Sequence, residues 1–429
     1  MILLLILALP VIFMYHFLKN RKAAKALVPP GPPGLPLIGN LHQFVTATNL
    51  HIHLWSLMRM KLGPVTVLVV SSAKLAKEVL KTQDSVFSRP KLLGQQKLSY
   101  NCLDIAFSPY SDYWKEMRKV SVLHLFSLKK AQILSSVRED EISRMVARFR
   151  PWLLHPVVVD LSEVVTDLAT TLICRTAFGT SWLSWVDKLS GKLARLNAAF
   201  KNLDLFYQEL IDDRLDRNRR KTMLEEDILD VLIRLKVHSS DLTWDHIKAM
   251  LMDIFVAGTD TSIASIIWTM TALMKAPDVM KKVQVENQRI DWHQMSTPLL
   301  LPRETIEKCI LDGYQIQPKT MVYVNAWAVA RDPEYWEDPD AFLPDRFLNS
   351  GVDIKGNDFR VIPFGSGRRI CPGMYMGLAN VELAVANLLY FFDWELPPGV
   401  QAQDIDTDSP LGITMLKKNP LCLVPKQYL

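Results

Sequence analysis

The segment PFGSGRRICPG, at residues 363–373, places Cys371 in a setting that suits neither a core cysteine nor a disulfide. Arg368 and Arg369 stand close before the cysteine, and Pro372 follows it. A thiol becomes a metal ligand as the thiolate, and neighbouring cations or a helix N-terminus lower its pKa. We therefore predict a thiolate metal ligand at Cys371, with Pro372 as the first residue of a helix whose positive end faces the sulfur.

Three glycines lie in the same segment, namely Gly365, Gly367 and Gly373. Because glycine has no Cβ, they leave room for a large, flat group to lie against the backbone. The alternative interpretation of the segment is a basic surface loop with a free thiol.

A second polar group, AGTDT at residues 257–261, lies midway along a long predicted helix. A mid-helix glycine costs about 1 kcal/mol relative to alanine, and hydroxyl side chains can divert backbone hydrogen bonds and bend a helix. These residues predict a distorted turn that holds water. A packing glycine beside surface threonines is the alternative.

The elements around these groups predict a body that is mainly α, with a small β lobe. The strand candidate PVTVLVV is β-branched, and PLLLPRE and TMVYVNAWAV flank a turn at Asp312-Gly313. Helical periodicity and caps predict helices at residues 71–83, 111–126, 243–276 and 374–392.

The chain has 429 residues and is 49% hydrophobic, which is enough for one large core or two domains. The net charge of +5 is modest, and the basic residues are spread out, so the composition does not support nucleic-acid binding. Five cysteines without a C-x-x-C pair favour neither a disulfide framework nor a zinc site. They fit a reducing, cytosol-facing location.

Residues 1–18 carry no charged side chain and would span roughly 27 Å as a helix, about the thickness of a bilayer core. Lysines and an arginine follow this segment, which predicts that the rest of the chain stays cytoplasmic. A cleaved secretory signal is the alternative. We predict a transmembrane anchor at 1–18, a basic and proline-rich hinge at 19–42 and one large domain at 43–429.

The cysteine segment resembles the F-x-x-G-x-R-x-C-x-G signature of the cytochrome P-450 family, with matches at Phe364, Gly367, Arg369, Cys371 and Gly373. The resemblance implies the P-450 fold, with a haem (iron protoporphyrin IX) bound in the large domain. It also implies that Cys371 is the axial thiolate ligand of the haem iron. Thiolate ligation favours O–O cleavage over reversible oxygen binding.

The resemblance implies further contacts to the haem. Trp114 and Arg118 lie four residues apart on one helical face, and in the family this pair binds a propionate. Arg303 and Arg369 resemble two more propionate partners, since the arginine fork can bind a carboxylate bidentately. An ordinary amphipathic pair is the alternative for Trp114 and Arg118 taken alone.

By the same resemblance, Asp260 and Thr261 line the oxygen pocket and relay protons. The implied reaction is a monooxygenation, in which one oxygen atom from O2 enters a small apolar plant metabolite. Electrons would come from NADPH through a reductase, which Lys115, Lys119 and Arg368 could steer towards the cysteine side. The sequence looks most like the plant microsomal 71 clan, in its aldoxime-oxidising branch, which implies the endoplasmic reticulum membrane.

One family element is missing from the expected place. A short helix carrying E-x-x-R should pair with the arginine corresponding to Arg346, but only about 24 residues separate Pro277 from Pro302. That length is too short for two helices of ordinary size and their connection. Glu286 and Arg289 fit the bare pattern, in a context that resembles the preceding helix.

Two further stretches look short. Residues 177–189 lack most of a helix expected over the substrate pocket, and residues 62–75 offer one strand where the family has a pair. We therefore predict internal deletions, with mis-splicing or an incorrect gene structure as a plausible cause. The alternative to an active monooxygenase is a catalytically impaired or inactive family member.

Overall fold

The structure is a computed structural model that describes residues 28–45, 55–89, 93–154, 157–179, 196–216, 226–238, 241–286, 295–347, 350–410 and 412–428. The predicted anchor at 1–18 lies outside these ranges. So do most of the shortened stretch at 177–189 and the predicted partner Arg289.

Helices dominate the fold, and several begin at the caps that the sequence indicated. Ser72, Ser111 and Thr243 each accept a hydrogen bond from a backbone N–H in the first turn of the next helix. In chain order the helices are α1 (Leu41–Val45), α2 (Ala73–Lys77), α3 (Leu93–Leu98), α4 (Asp112–Val120), α5 (Leu128–Ile133), α6 (Ser135–Leu154), α7 (Leu161–Phe178), α8 (Leu196–Leu215), α9 (Ile228–His238), α10 (Trp244–Lys275), α11 (Pro277–Glu286), α12 (Ala326–Val329) and α13 (Met374–Phe391). Short π-helical turns at Glu78–Thr82 and Ser121–Leu125 continue α2 and α4.

The strands form a small β lobe and two minor pairings. In chain order they are β1 (Leu57–Leu62), β2 (Val65–Val70), β3 (Phe87–Ser88), β4 (Val159–Asp160), β5 (Arg303–Thr305), β6 (Cys309–Leu311), β7 (Tyr314–Ile316), β8 (Met321–Val324), β9 (Phe392–Glu395) and β10 (Cys422–Gln427). The five-stranded sheet has the order β1-β2-β8-β5-β3, and a second sheet has the order β4-β10-β9. The strands β6 and β7 form a hairpin around Asp312-Gly313, where the sequence predicted a turn.

The long helix α10 organises the core, and its bounds agree with the sequence prediction. It has 32 residues, which corresponds to about 48 Å. Its first half packs with α8, α9 and the end of α7, and its second half packs with α6, α13 and the start of α7. The helices α10 and α13 are long and apolar enough to cross a membrane, but both belong to these packed clusters.

Residues 62–75 contain one full strand, β2, as predicted, but the inference that its partner strand is missing is wrong. The strand β1 pairs with β2 in an antiparallel register that runs from Leu57↔Val70 to Leu62↔Val65. Met58 and Met60 are buried in β1, and the residues between and after them, Arg59 and Lys61, are more exposed. This alternation is the pattern of a half-buried strand, although it lacks β-branched residues.

The second half of the predicted hinge packs along β1. The Arg59 N–H donates to the Pro30 carbonyl at 2.7 Å, and Gly39 forms a bridge with Leu62. A Cβ on Gly31 would lie 1.8 Å from the Arg59 carbonyl oxygen, so only glycine permits this close approach. The described part of this segment is therefore fixed to the sheet edge.

Candidate active site

The cysteine segment folds back on itself in front of α13. The Cys371 N–H donates to the Phe364 carbonyl at 2.9 Å, and the Ile370 N–H donates to the Gly367 carbonyl at 3.1 Å. The helix α13 begins at Met374 with Gly373 as its N-cap, so the prediction that Pro372 is the first helical residue is wrong. The intervening turn brings the Gly373 N–H to the Cys371 sulfur, where it forms a hydrogen bond.

The glycines of the segment have different roles, and Gly367 differs from the prediction. Its φ is +73°, and a Cβ there would lie 1.9 Å from the Leu80 carbonyl oxygen. Gly367 therefore lets the segment pack against the π-helical turn after α2, not against a ligand. A Cβ on Gly373 would lie 4.0 Å from the Cys371 sulfur, so this glycine does border the thiol.

The electrostatic setting of Cys371 also differs from the prediction. Burial raises the pKa of its thiol above the ordinary value, while the Gly373 N–H and the Arg118 charge oppose this rise. Arg368 points away, with 56% of its side chain exposed and an ion pair to Asp84 at 3.5 Å. Neighbours in sequence are therefore not the cations that act on this sulfur.

One cavity of about 680 Å³ lies between the cysteine segment and α10. All eight residues that the sequence assigned to the site line it: Trp114, Arg118, Asp260, Thr261, Arg303, Phe364, Arg369 and Cys371. The fold thus brings together residues from four separate parts of the chain.

The predicted propionate ligands occupy one side of this cavity. Arg369 lies over the Trp114 ring, 4.2 Å from its centroid, and donates to the Ser108 carbonyl at 2.9 Å. Arg303 donates to the Phe87 carbonyl at 3.1 Å, and Arg118 donates to the Ile370 carbonyl. The Trp114 indole N–H is already used by the Ile105 carbonyl at 3.0 Å. Trp114 therefore supports Arg369 in this structure by ring stacking.

A further arginine, Arg89, belongs to this group and was missed from the sequence. It is 8% exposed, lines the same cavity and donates to the Pro302 carbonyl at 2.8 Å. Burial and the charges of Arg303 and Arg369 hold its pKa well below the ordinary value. Its position after β3, which pairs with the strand of Arg303, was the only available signal.

Arg89, Arg303 and Arg369 have too few hydrogen-bond acceptors among the described residues. Burial, with repulsion from the neighbouring arginines, lowers the pKa of Arg369 to about 9, and burial lowers that of Arg303 to about 10. The Arg369 Nη2 and the Arg89 Nε are buried without a hydrogen-bond partner in the described part of the chain. Asp84 and Asp104 are the carboxylates whose charges oppose these shifts.

The guanidinium groups and the thiol that line this cavity fit a haem. Buried guanidinium groups that lack acceptors fit a flat ligand with two carboxylates, because charged hydrogen bonds to such groups are the strong ones. The thiol of Cys371 borders the same cavity, and thiolate is an established axial ligand of haem iron.

The turn that carries Asp260 and Thr261 is not distorted as predicted. The helix α10 is α-helical throughout, and the Thr261 hydroxyl donates to the Ala257 carbonyl at 2.6 Å. Gly258 packs against α7, because a Cβ there would lie 2.5 Å from the Ile173 Cδ1 atom. Burial raises the pKa of Asp260 above the ordinary value.

Two other carboxyl groups of the cavity wall were missed from the sequence. Asp253 lies on α10, seven residues before Asp260 and thus on nearly the same helical face. Asp104 lies in the loop between α3 and α4 and is 1% exposed. Asp253 could have been located from the sequence by its helical spacing from Asp260.

Arg346 is not among the residues that line the cavity. Its Nη2 donates to the carbonyls of Asp338 at 2.9 Å and Ala341 at 2.8 Å. Its Nε and Nη1 are buried without a partner among the described residues. The predicted absence of a paired carboxylate stays a prediction, because residues 287–294 lie outside the described residues.

Comparisons with known proteins identify the family. The family model described as Cytochrome P450 matches residues 29–190, 183–296 and 292–424. The 5-OH-xanthotoxin synthase of Ammi majus is 42% identical over 502 positions, covering 100% of this chain and 98% of that protein. The 6,7,8-trihydroxycoumarin synthase of Pastinaca sativa is 41% identical, with 100% of this chain and 99% of that protein covered.

Two further comparisons concern the subgroup and the fold. Cytochrome P450 71B9 of Arabidopsis thaliana is 40% identical, with 93% of each chain covered. A zebra fish cytochrome P450 solved with abiraterone matches the fold with a TM-score of 0.73 at 23% identity, covering 91% of this chain and all of that one. The relatives named here do not place the chain in the aldoxime-oxidising branch, which stays a prediction. The chain belongs to the cytochrome P450 family.

Proposed function

We propose that this protein is a haem-thiolate monooxygenase that oxidises a flat, oxygen-containing aromatic compound of the coumarin class. The family implies a haem and a reductase that supplies electrons. The observation that carries the proposal is that Cys371 and the Asp260–Thr261 turn line one and the same cavity. When bound, the haem supplies the activation of O2.

The residues that would hold the haem follow from the cavity wall. Cys371 provides the thiolate, which the Gly373 N–H and the charge of Arg118 stabilise. Arg303 and Arg369 provide hydrogen bonds to the propionates, and Trp114 holds the Arg369 guanidinium by stacking. Phe364 borders the cavity beside the sulfur, and its carbonyl accepts from the Cys371 N–H.

Proton delivery would depend on α10. The Thr261 hydroxyl is directed along the helix to the Ala257 carbonyl, so it must rotate to donate into the cavity. Burial raises the pKa of Asp260, so this carboxyl group holds a proton more readily than an exposed aspartate does. Asp260 would therefore act as the proton source, and Thr261 as the group that passes the proton on.

The substrate class is supported by the relatives and by the cavity. Two of the reported relatives carry coumarin-type names. The cavity also contains apolar side chains from α3 and α10, such as Leu98, Met250, Ile254 and Val256. Such a wall favours a flat apolar molecule, with few polar groups to orient it.

The partner and the membrane follow the same proposal. Lys115 and Lys119 are exposed on α4, beside the half-exposed Arg368, and would attract an acidic reductase surface. We keep residues 1–18 as the proposed anchor in the endoplasmic reticulum membrane, with the large domain in the cytoplasm.

We infer further that the chain carries internal deletions relative to its relatives. The alignment with the Ammi majus enzyme extends over 502 positions, against 429 residues in the chain. The family model matches in three segments, and their junctions fall at residues 183–190 and 292–296, where the sequence looked short. Arg346 adds support, because two of its nitrogens have no partner within the described ranges. Genomic sequencing across the codons for residues 289–298 tests this inference, and continuous coding sequence there would contradict it.

The reduced, CO-bound absorption spectrum of the purified chain tests the function. We expect the red-shifted band of thiolate-ligated haem in the wild type and its loss in Cys371→Ala. Cys309→Ala is the matched control, because Cys309 lies in the β6–β7 hairpin outside the cavity wall. Absence of the band in the wild type would refute the proposal and favour the inactive alternative, which the comparisons do not support.

A further inference from the structure

The loop between α3 and α4 forms part of the cavity wall and is strained at its start. Tyr100, Asn101 and Cys102 all have positive φ angles, of 50°, 61° and 65°. Non-glycine residues rarely adopt this conformation, so surrounding contacts must hold it. One such contact is the Tyr100 hydroxyl, which donates to Asp204 on α8 at 2.9 Å.

A second contact fixes the loop to α10 through Asp253. Its Oδ2 accepts hydrogen bonds from the Ile105 N–H at 2.8 Å and the Ala106 N–H at 3.3 Å. Its carboxyl group lies close to that of Asp104, because the two amides that it binds directly follow Asp104 in the chain. The Asp104 Oδ2 in turn accepts from the Phe107 N–H at 3.0 Å.

A hydrogen bond between these two neighbouring carboxyl groups would require a proton, because two carboxylates only accept. The Asp104 Oδ1 has no donor among the described residues, although it is buried. A proton on Asp253 would supply that donor. The alternative, two ionised carboxylates in contact within a buried site, would repel each other.

The surroundings place the charge on Asp104. Arg89 and Arg369 act on Asp104 and favour its ionised form. Tyr113 faces both carboxyl groups, and Tyr207 on α8 faces Asp253. Burial raises the pKa of both phenols, so they stay neutral and add no charge.

We propose that Asp104 and Asp253 share one proton and act as positioning residues, which hold the loop between α3 and α4 against α10 and so set the cavity wall above Cys371. The neutral Asp253 carboxyl accepts two backbone N–H groups and donates to the Asp104 carboxylate. The effect of this carboxyl contact on substrate binding rests on the proposed function, whereas the contact itself does not.

The proton makes this contact dependent on pH. Burial raises the pKa of Asp104 to about 6 and raises that of Asp253 well above the ordinary value. With one shared proton the pair carries one negative charge beside Arg89. Loss of that proton as the pH rises leaves two adjacent carboxylates, and their repulsion releases the loop.

Hydrogen exchange of the full-length, haem-loaded chain tests the proposal. The readout is the protection factor of the Ile105 and Ala106 amides, corrected for intrinsic exchange, at pH 6 and pH 9. We expect a decrease of at least about tenfold in the wild type as the pH rises. In Asp253→Asn the protection should stay high at both pH values, because the amide oxygen accepts and the amide NH2 donates without a titrating proton.

Two further variants complete the test. Asp253→Ala should show low protection at both pH values, and Tyr100→Phe should keep the pH dependence, because it alters only the contact to α8. Equal pH dependence in the wild type and Asp253→Asn would overturn the proposal, as would a wild type without pH dependence. Because exchange does not depend on turnover, a chain without the thiolate band but with this exchange pattern would refute only the proposed function.

Discussion

The cavity has two charged regions that balance their buried charge in different ways. Beside the cysteine segment, Arg89, Arg303 and Arg369 outnumber the carboxylates that act on them, and two of their nitrogens have no partner among the described residues. At the loop between α3 and α4, Asp104 and Asp253 lie in contact. One region has an excess of donors, and the other has an excess of acceptors.

The difference follows from the chemistry of the two side chains. A carboxylate can take up a proton near neutral pH when burial raises its pKa, whereas an arginine keeps its charge in nearly all settings. The acidic region can therefore neutralise itself. The basic region cannot neutralise itself in this way. It therefore requires an anionic ligand and forms a binding site for one.

The largest expected effect concerns the basic region. Arg369→Met should reduce haem affinity at least about tenfold, because it removes a charged hydrogen bond to the ligand. The same variant should stabilise the haem-free protein by about 1–3 kcal/mol, because it removes an uncompensated buried charge. Haem content per chain and urea unfolding of the haem-free protein measure the two effects.

The exposed Arg150 on α6 provides the control for Arg369. Arg150→Met should leave both measurements unchanged within about 0.5 kcal/mol. If Arg369→Met destabilises the haem-free protein, the basic region does not carry excess charge, and the contrast between the two regions fails.

The next effect concerns the acidic region. Asp253→Ala leaves two buried amides without an acceptor and the Asp104 carboxylate without its donor, so we expect a loss of about 2–4 kcal/mol in unfolding free energy. Asp253→Asn keeps the same hydrogen bonds and should cost less than about 1 kcal/mol. Urea unfolding at pH 7 measures both. Equal losses in the two variants would show that the proton is not what joins the pair.

The pH dependence of stability sharpens the contrast further. The folded-state pKa of Asp104 is raised to about 6 from its ordinary value of 3.8, so the folded chain binds more protons than the unfolded chain between these values. The contribution of this group is therefore fully present below about pH 4 and is lost as the pH rises through 6. Unfolding curves from pH 4 to 7 should show this decline in the wild type and a smaller decline in Asp104→Asn. An unchanged decline in that variant would assign the effect to other groups.

The smallest effect concerns Arg346, which is partly buried. Two of its nitrogens have no partner among the described residues, so Arg346→Met should change stability by less than about 1 kcal/mol, or increase it. Arg214 is the matched control, because it forms an ion pair with the buried Asp227. Arg214→Met should cost about 3 kcal/mol or more. Chemical denaturation measures both, and a loss of that size in Arg346→Met would indicate a carboxylate partner.

The parts of the fold that the sequence predicted are those set by local signals. The long helix follows from the Thr243 cap and Pro277, which ends its pattern. The strand β1 was missed because its alternation uses methionine, arginine and lysine instead of β-branched residues. Buried and more exposed residues alternate in β1 with a period of two, but the residue types are not those typical of strands.

The site could be predicted as a set of residues but not in its electrostatics. Adjacent residues project in different directions, so Arg368 points to solvent and Arg118, distant in sequence, acts on the sulfur of Cys371. The contact between Asp104 and Asp253 joins a loop to a helix, and no local pattern encodes such a pairing. Sequence motifs identify ligands of the family, whereas the balance of charge around them depends on tertiary packing.

The contact between Gly258 and Ile173 limits how this enzyme could be redesigned for bulkier molecules. A Cβ on Gly258 would lie 2.5 Å from the Ile173 Cδ1 atom, so a larger residue there requires the Ile173 side chain to move. A mutant library aimed at a wider pocket would therefore have to vary both positions together. Diversity introduced at Leu98 and Ile413, which face the cavity from other segments, would leave the helix pair intact.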